Sequence, residues 1–230
     1  MLKNVLILLI LLIGCKLNSQ TNRHFSGGGG GMQFGYGNIF ITQLNKALIK
    51  NNLPEFSGSM FTYGGNGHGV INNFIIGGGM YTYNSLDKIK SNTFTASIHS
   101  NYGVINVGYI FYSQQKLIGY PLVSLGYSTF SLRLSGNNQI SFQEAVTSYN
   151  QEIILKKGSP VIDVGWVFEF FPLSKDEKLK GGPCLGLKIG GFFSLIDGTW
   201  EYSGGKISNS PKFLPCGLYV RTLYKGYVFH

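Results

Sequence analysis

The sequence predicts an all-β chain, an antiparallel up-and-down transmembrane β-barrel of about eight strands, with ten as the alternative count and two short helices in its loops. Three observations carry this reading. Apolar and polar residues alternate with a period of two in several segments, the mark of strands with different surroundings on their two faces. Glycine is abundant at 33 residues and aromatics reach 14%, while charged residues make up only 13%, about half the usual quarter. Beyond the N-terminus no apolar segment is long enough for a membrane-spanning helix, and a closed barrel is the other way to satisfy every backbone group in lipid.

In chain order the first element is a leader. Lys3 gives it a positive start and Val5 to Ile13 an unbroken apolar run. That run is shorter than the about 20 residues that cross a bilayer core as a helix, so it reads as a secretory signal. Cleavage after Ser19 leaves a single domain over 20–230. The competing reading makes Leu12-Ile13-Gly14-Cys15 a lipoprotein box with Cys15 lipidated, and both readings export the chain. Removing Lys3 and Lys16 from the 19 basic residues leaves 17 against 10 acidic ones. The excess is not clustered and the chain is exported, which argues against a nucleic-acid partner. It suits anionic lipid headgroups or sugars at a membrane surface.

Three strands are clean. In 161–170 Ile162, Val164, Trp166, Phe168 and Phe170 share one face and Asp163, Gly165, Val167 and Glu169 the other. In 185–195 Leu185, Leu187, Ile189, Gly191, Phe193 and Leu195 oppose Gly186, Lys188, Gly190, Phe192 and Ser194. In 93–100 Phe94, Ala96 and Ile98 oppose Thr93, Thr95, Ser97 and His99, which places His99 toward the lumen. Glycine gathers on the polar faces, where the walls of a narrow barrel crowd together, and aromatics lie toward the ends of apolar faces, as in a girdle. A soluble β-sandwich or lipocalin-like binder in the periplasm also alternates and is the rival architecture.

Further strands are expected at about 30–37, 58–67, 73–83, 105–114, 121–134 and 214–228. The run 121–134 changes phase, since Val123, Leu125 and Tyr127 share a face but Phe130, Leu132 and Leu134 take the other; a β-bulge near Ser128 would reconcile them. These are nine runs, and single-chain bacterial barrels have even numbers, so the first run is the uncertain one. Helices are expected after Thr42 as N-cap, ending before Pro54, and at 141–146, where Ser141 and Glu144 have capping-box spacing. The words Gly69-Val70-Ile71-Asn72 and Gly103-Val104-Ile105-Asn106 repeat and read as two strand-to-strand turns. Wide loops are expected at about 135–157 and 197–212. Cys184 and Cys216 start successive antiparallel strands, which puts them at opposite ends of a hairpin, too far apart to bridge.

The leader ending near Gln20, "GGGGGMQFGYG", "GVINNFIIGGGMYTY" and "GGPCLGLKIGGFF" followed by "DGTWEYSGG" together resemble the small outer-membrane β-barrel proteins of Gram-negative bacteria, many of unassigned function. The resemblance covers nearly all of the mature chain, and its motifs are architectural. It implies outer-membrane lipids and the barrel-assembly machinery as partners, with a surface glycan or protein meeting the loops. Such barrels close on a C-terminal aromatic, whereas this chain places Tyr227 and Phe229 in alternation and ends at His230.

One constellation carries charge chemistry. Strand pairing through the 172–181 turn puts Glu169 across from about Gly186 with Lys188 on its diagonal, and the next hairpin puts Lys188 opposite Arg221. All three face the lumen, where charges must be paired. A structural plug is the expected role of Glu169, Lys188 and Arg221, and a charged eyelet in a narrow pore is the alternative. No Ser-His or metalloenzyme motif occurs, no Cys/His spacing suits a metal, and no cofactor is indicated, so an enzyme is not expected.

Overall fold

The computed structural model describes residues 24–51, 53–90, 94–136, 152–173, 181–208 and 210–229. Eight long strands, β1 (Gly27–Ile39), β2 (Ser59–Ile71), β3 (Phe74–Ser85), β5 (Phe94–Tyr109), β7 (Leu117–Gly136), β8 (Glu152–Phe170), β9 (Gly181–Ser194) and β12 (Cys216–Phe229), each pair antiparallel with the next. β1 also pairs with β12, from Gly27 opposite Phe229 to Ile39 opposite Gly217, and this closes the barrel. Four short strands decorate it: β4 (Ile89–Lys90), β6 (Tyr112–Gln114), β10 (Trp200–Tyr202) and β11 (Gly205–Lys206). Among the described residues no helix is long and apolar enough to cross a membrane, and this barrel crosses with its strands.

The two ends differ. β2 and β3 are joined by Asn72 and Asn73, both at positive φ (47° and 71°), the left-handed pair that a two-residue hairpin requires. Asn73 also holds the start of the chain, its side-chain oxygen accepting from the Phe25 amide at 2.7 Å while its own amide donates to the Phe25 carbonyl at 3.0 Å. Both described termini lie at this end. The opposite end carries the connections 40–58 and 195–215, and β3 and β7 end there. Short turns at the periplasmic rim and long loops outside are the rule for such barrels.

Several expectations need correction. The uncertain first run is β1, a full member of the wall. The surplus strand arose elsewhere, because 94–100 and 105–109 are parts of one strand, β5, with 112–114 in the short β6, and the second Gly-Val-Ile-Asn word lies inside β5 rather than in a turn. Only the first copy reaches a turn. The region 121–134 contains no bulge: β7 keeps one register with β5 and one with β8 throughout. Its even residues point inward from Ile118 to Leu132, so the apolar residues change face because the surroundings change. Toward the terminal end and through the middle, lipid lies outside. Toward the loop end, water lies outside and apolar residues fill the interior. The same inversion turns 94–100 round: Ala96 and Ile98 are buried inside, and His99 faces outward. Residues 152–157 belong to β8, and 197–212 contains the β10–β11 hairpin. The helix α1 (Thr42–Lys50) begins after Ile41, which contributes no side-chain cap, and Thr42 is its first helical residue. The expected helix at 141–146 and the leader with Ser19 and Cys15 lie outside the described residues. Cys184 and Cys216 are buried and unbridged.

Asn73→Ala should cost about 2 kcal/mol, from a left-handed φ that alanine resists and a buried Phe25 amide left without its acceptor. Asn73→Gly restores the backbone freedom and should cost about half as much. Urea midpoints of the folded band in unheated SDS gels check the order.

Candidate functional site

The lumen holds the concentrated chemistry. Inward-facing glycines make room for it: a Cβ on Gly165 would come within 2.9 Å of Lys188 Cε, and one on Gly190 within 2.7 Å of the Tyr219 hydroxyl. On the strands so thinned, charged and tyrosyl side chains form two layers.

The layer nearer the loops is centred on Asp163 of β8. One of its oxygens accepts from Lys188 Nζ at 2.8 Å and from Tyr219 OH at 2.7 Å, and the other accepts from Tyr102 OH at 2.8 Å. Arg221 of β12 lies between the rings of Tyr81 and Tyr219, its Cζ 4.0 and 3.8 Å from their centroids. That is a cation–π sandwich. The guanidinium donates to Tyr83 OH at 2.6 Å and also to Tyr102 OH, so Tyr102 relays between Arg221 and Asp163. The layer nearer the termini is centred on Glu169. It accepts from Lys225 Nζ at 2.7 Å, Tyr120 OH at 2.9 Å and Tyr227 OH at 2.6 Å, and the His68 ring lies against Tyr227. Asp163, Glu169 and Arg221 have no exposed surface. Each carboxylate accepts three hydrogen bonds, which is what makes a buried charge tolerable.

Apolar caps close both ends. Phe25, Val70, Ile75, Ile110, Ile118 and Phe171 are among the residues filling the terminal end. At the loop end Leu44 and Leu48 of α1 pack with Phe56, Phe130, Trp200 and Phe213. Lys157 is buried beneath that cap, paired with Asp197 and flanked by the Trp200 and Phe213 rings.

The three residues singled out from the sequence all lie in the lumen, with Glu169 opposite Gly186 and Arg221 opposite Lys188. They do not pair with one another. Lys188 belongs to Asp163, and Glu169 belongs to Lys225. Asp163 was legible as an inward residue of its strand, and its side chain meets a lysine displaced along the neighbouring strand. Lys225 lies two strands from Glu169 across the lumen, beyond what neighbour-strand pairing can reveal. The aromatic partners have the same cause, since Tyr102 reaches Asp163 from β5, two strands away on the other side. Among the described residues no group of His, Cys, Asp and Glu could hold a metal ion. His99, expected in the lumen, meets Asn84 and Asn101 on the outer surface.

The outer surface completes the assignment. Met80, Ile105, Leu125, Leu187, Ile189 and Val220 are exposed along the middle of the wall. Tyr36, Phe61, Tyr63 and Tyr127 stand toward the loop end, and Phe74, Tyr109, Phe168 and Tyr224 toward the termini. This is a lipid belt between two aromatic girdles.

No family model matches the chain, and no curated protein matches it. Solved structures do. A major outer membrane protein from Thermus thermophilus aligns at 10% identity over 86% of this chain and 98% of that one, with a TM-score of 0.50. Neisserial surface protein A aligns at 11% identity over 90% and 100%, with a TM-score of 0.49. Ail of Yersinia pestis, in complex with the heparin analogue sucrose octasulfate, aligns at 13% over 87% and 97%, with a TM-score of 0.44. At these identities the likeness is one of fold. The chain is a closed eight-stranded barrel of the outer-membrane type.

Removing one partner of a lumen pair should be worse than removing both. Lys225→Met strands Glu169 and should cost about 3–5 kcal/mol. Glu169→Leu with Lys225→Met leaves no buried charge and should recover most of that loss, as read from urea unfolding in detergent.

Proposed function

We propose that this barrel is closed to ions and works as a structural and interaction protein of the outer membrane through its loop end. The observation that carries the reading is the pairing and burial of the lumen carboxylates and lysines. A charged eyelet selects permeants with water-exposed charges, whereas here Asp163, Glu169, Lys188 and Lys225 are paired and buried between two apolar caps. The soluble sandwich loses its support, because the residues it would bury face outward around a closed wall.

The loop end is built to present a surface. The β10–β11 hairpin is bound to the wall through Trp200 opposite Lys157, and the Trp200 indole donates to the Pro211 carbonyl at 3.1 Å. Exposed Lys46, Lys50, Lys88, Lys90, Lys206 and Lys212 outnumber Glu55, Asp87, Asp197 and Glu201 there, which favours an anionic surface glycan as partner. Among the described residues no catalytic constellation supports an enzymatic role.

In planar bilayers the folded protein should be electrically silent. On heparin-agarose it should be retained and elute as salt rises above about 0.15 M, where the screening length falls below about 8 Å. Discrete ion steps would establish a pore instead, and passage through the column without retention would remove the anionic glycan.

A further inference from the structure

The outward row of β3, β5, β7 and β8 changes character at one level. Met80, Gly103 and Tyr127 lie side by side on neighbouring strands. Around them, Gly67, Gly78 and Gly103 floor an open hollow of about 790 Å³ on the lipid-facing wall, with Met80, Ile105 and Tyr127 as its sides. One outward step along the strands, about 7 Å toward the loops, the row reads Thr82, Asn101 and Thr129. The next step reads Asn84, His99, Ser131 and Lys156, and Arg133 follows on β7 beside Ser97. Thr82 donates to the Asn101 side chain at 2.8 Å, and Asn101 and His99 are 3.1 Å apart. Above Tyr127 this face is polar on β5 and β7, with Ile154 of β8 beside Arg133 as its apolar edge, while the inner face at the same height holds Ile98, Phe130 and Leu132.

We infer that this surface seats one molecule of a phosphorylated, acylated glycolipid of the outer leaflet. An acyl chain lies in the hollow over Gly67, Gly78 and Gly103, the sugar rests on Asn101, His99 and Thr129, and a phosphate meets Arg133 and Lys156. Three features select this occupant. The hollow admits hydrocarbon where flanking strands present bulky side chains. The amide, hydroxyl and imidazole groups start directly above the aromatic girdle, at headgroup depth. Cationic side chains come next: Lys156 is exposed and faces Glu201, which pairs in turn with Lys206 on its other side, so the charge remains positive. A phospholipid has no sugar to cover the Asn101–His99 step, and a soluble glycan has nothing for the hollow. The inference rests on the loop-outward orientation proposed above.

The test titrates the purified full barrel in detergent with hexa-acylated, bis-phosphorylated lipid A, with phosphatidylglycerol, and with the deacylated lipid A headgroup, read by native mass spectrometry. Lipid A should bind about ten-fold more tightly than either comparison ligand. Arg133→Glu with Lys156→Glu should lower lipid A affinity by about ten-fold. Gly103→Leu should lower it several-fold by filling the hollow, since a Cβ there meets nothing closer than Met80 Cγ at 4.0 Å. Both variants should keep the heat-dependent gel shift of the folded barrel. Equal binding of lipid A and phosphatidylglycerol, equal binding of the deacylated headgroup, or indifference to both variants would each overturn the seat. Labelling of Thr129→Cys on intact cells by an impermeant maleimide reports orientation separately, so an inward-facing loop end and an absent lipid site give different results.

Discussion

Everything in this molecule depends on the ladder that joins the first strand to the last. In hydrocarbon an unpaired amide or carbonyl costs several kcal/mol, about what many whole domains have to spare. The row from Gly27–Phe229 to Ile39–Gly217 leaves no edge. Closure has a second consequence. With all strands hydrogen-bonded on both sides and in constant register, no side chain can change face without breaking two ladders. In and out are fixed by residue parity along each strand.

Fixed parity explains both the lumen and the outer surface. A small barrel interior must be filled, and here it is filled by the Lys188–Asp163 and Lys225–Glu169 ion pairs and by Arg221 held between tyrosines. Tyrosines supply hydrogen bonds from one side of the ring and packing area from the other. Glycines on the inner face, such as Gly165 and Gly190, are the complement of those large groups. Outside, the same parity carries one row of β7 out of lipid and into water, from Leu125 and Tyr127 to Thr129 and Arg133. The upper part of β5 and β7 therefore follows the rules of a soluble protein, apolar within and polar without, while the lower part follows those of a membrane barrel.

That division marks what the sequence made legible. Strands lying wholly within lipid, 161–170 and 185–195, could be read with the correct face outward, because period two combined with charged or tiny residues on one side admits a single solution. The 93–100 and 121–134 runs misled, because alternation shows that two faces differ and not which of them meets lipid. Ile98 and Phe130 read as lipid-facing and are core. Register near the lumen charges was also legible, with Lys188 opposite Arg221. The partners of those charges were not, because Lys225 and Tyr102 reach their carboxylates from two strands away and pairing between adjacent strands does not encode that reach. The extra strand came from treating Gly103 and Asn106 as turn formers, when one lies on the lipid-facing hollow and the other is an inward residue of an unbroken strand.

The most direct test of the central claim, constant parity with inverted polarity, is a spin-label depth profile along the outward residues of β7. Labels at 123, 125, 127, 129 and 133 would be compared for collision with oxygen, which concentrates in lipid, and with a water-soluble nickel chelate. The structure predicts oxygen-dominated relaxation through 127 and a switch to the chelate at 129 and 133. Lipid-like behaviour at all five positions, or a return to protein-buried behaviour at 129 and 133 as a bulge would produce, would contradict it.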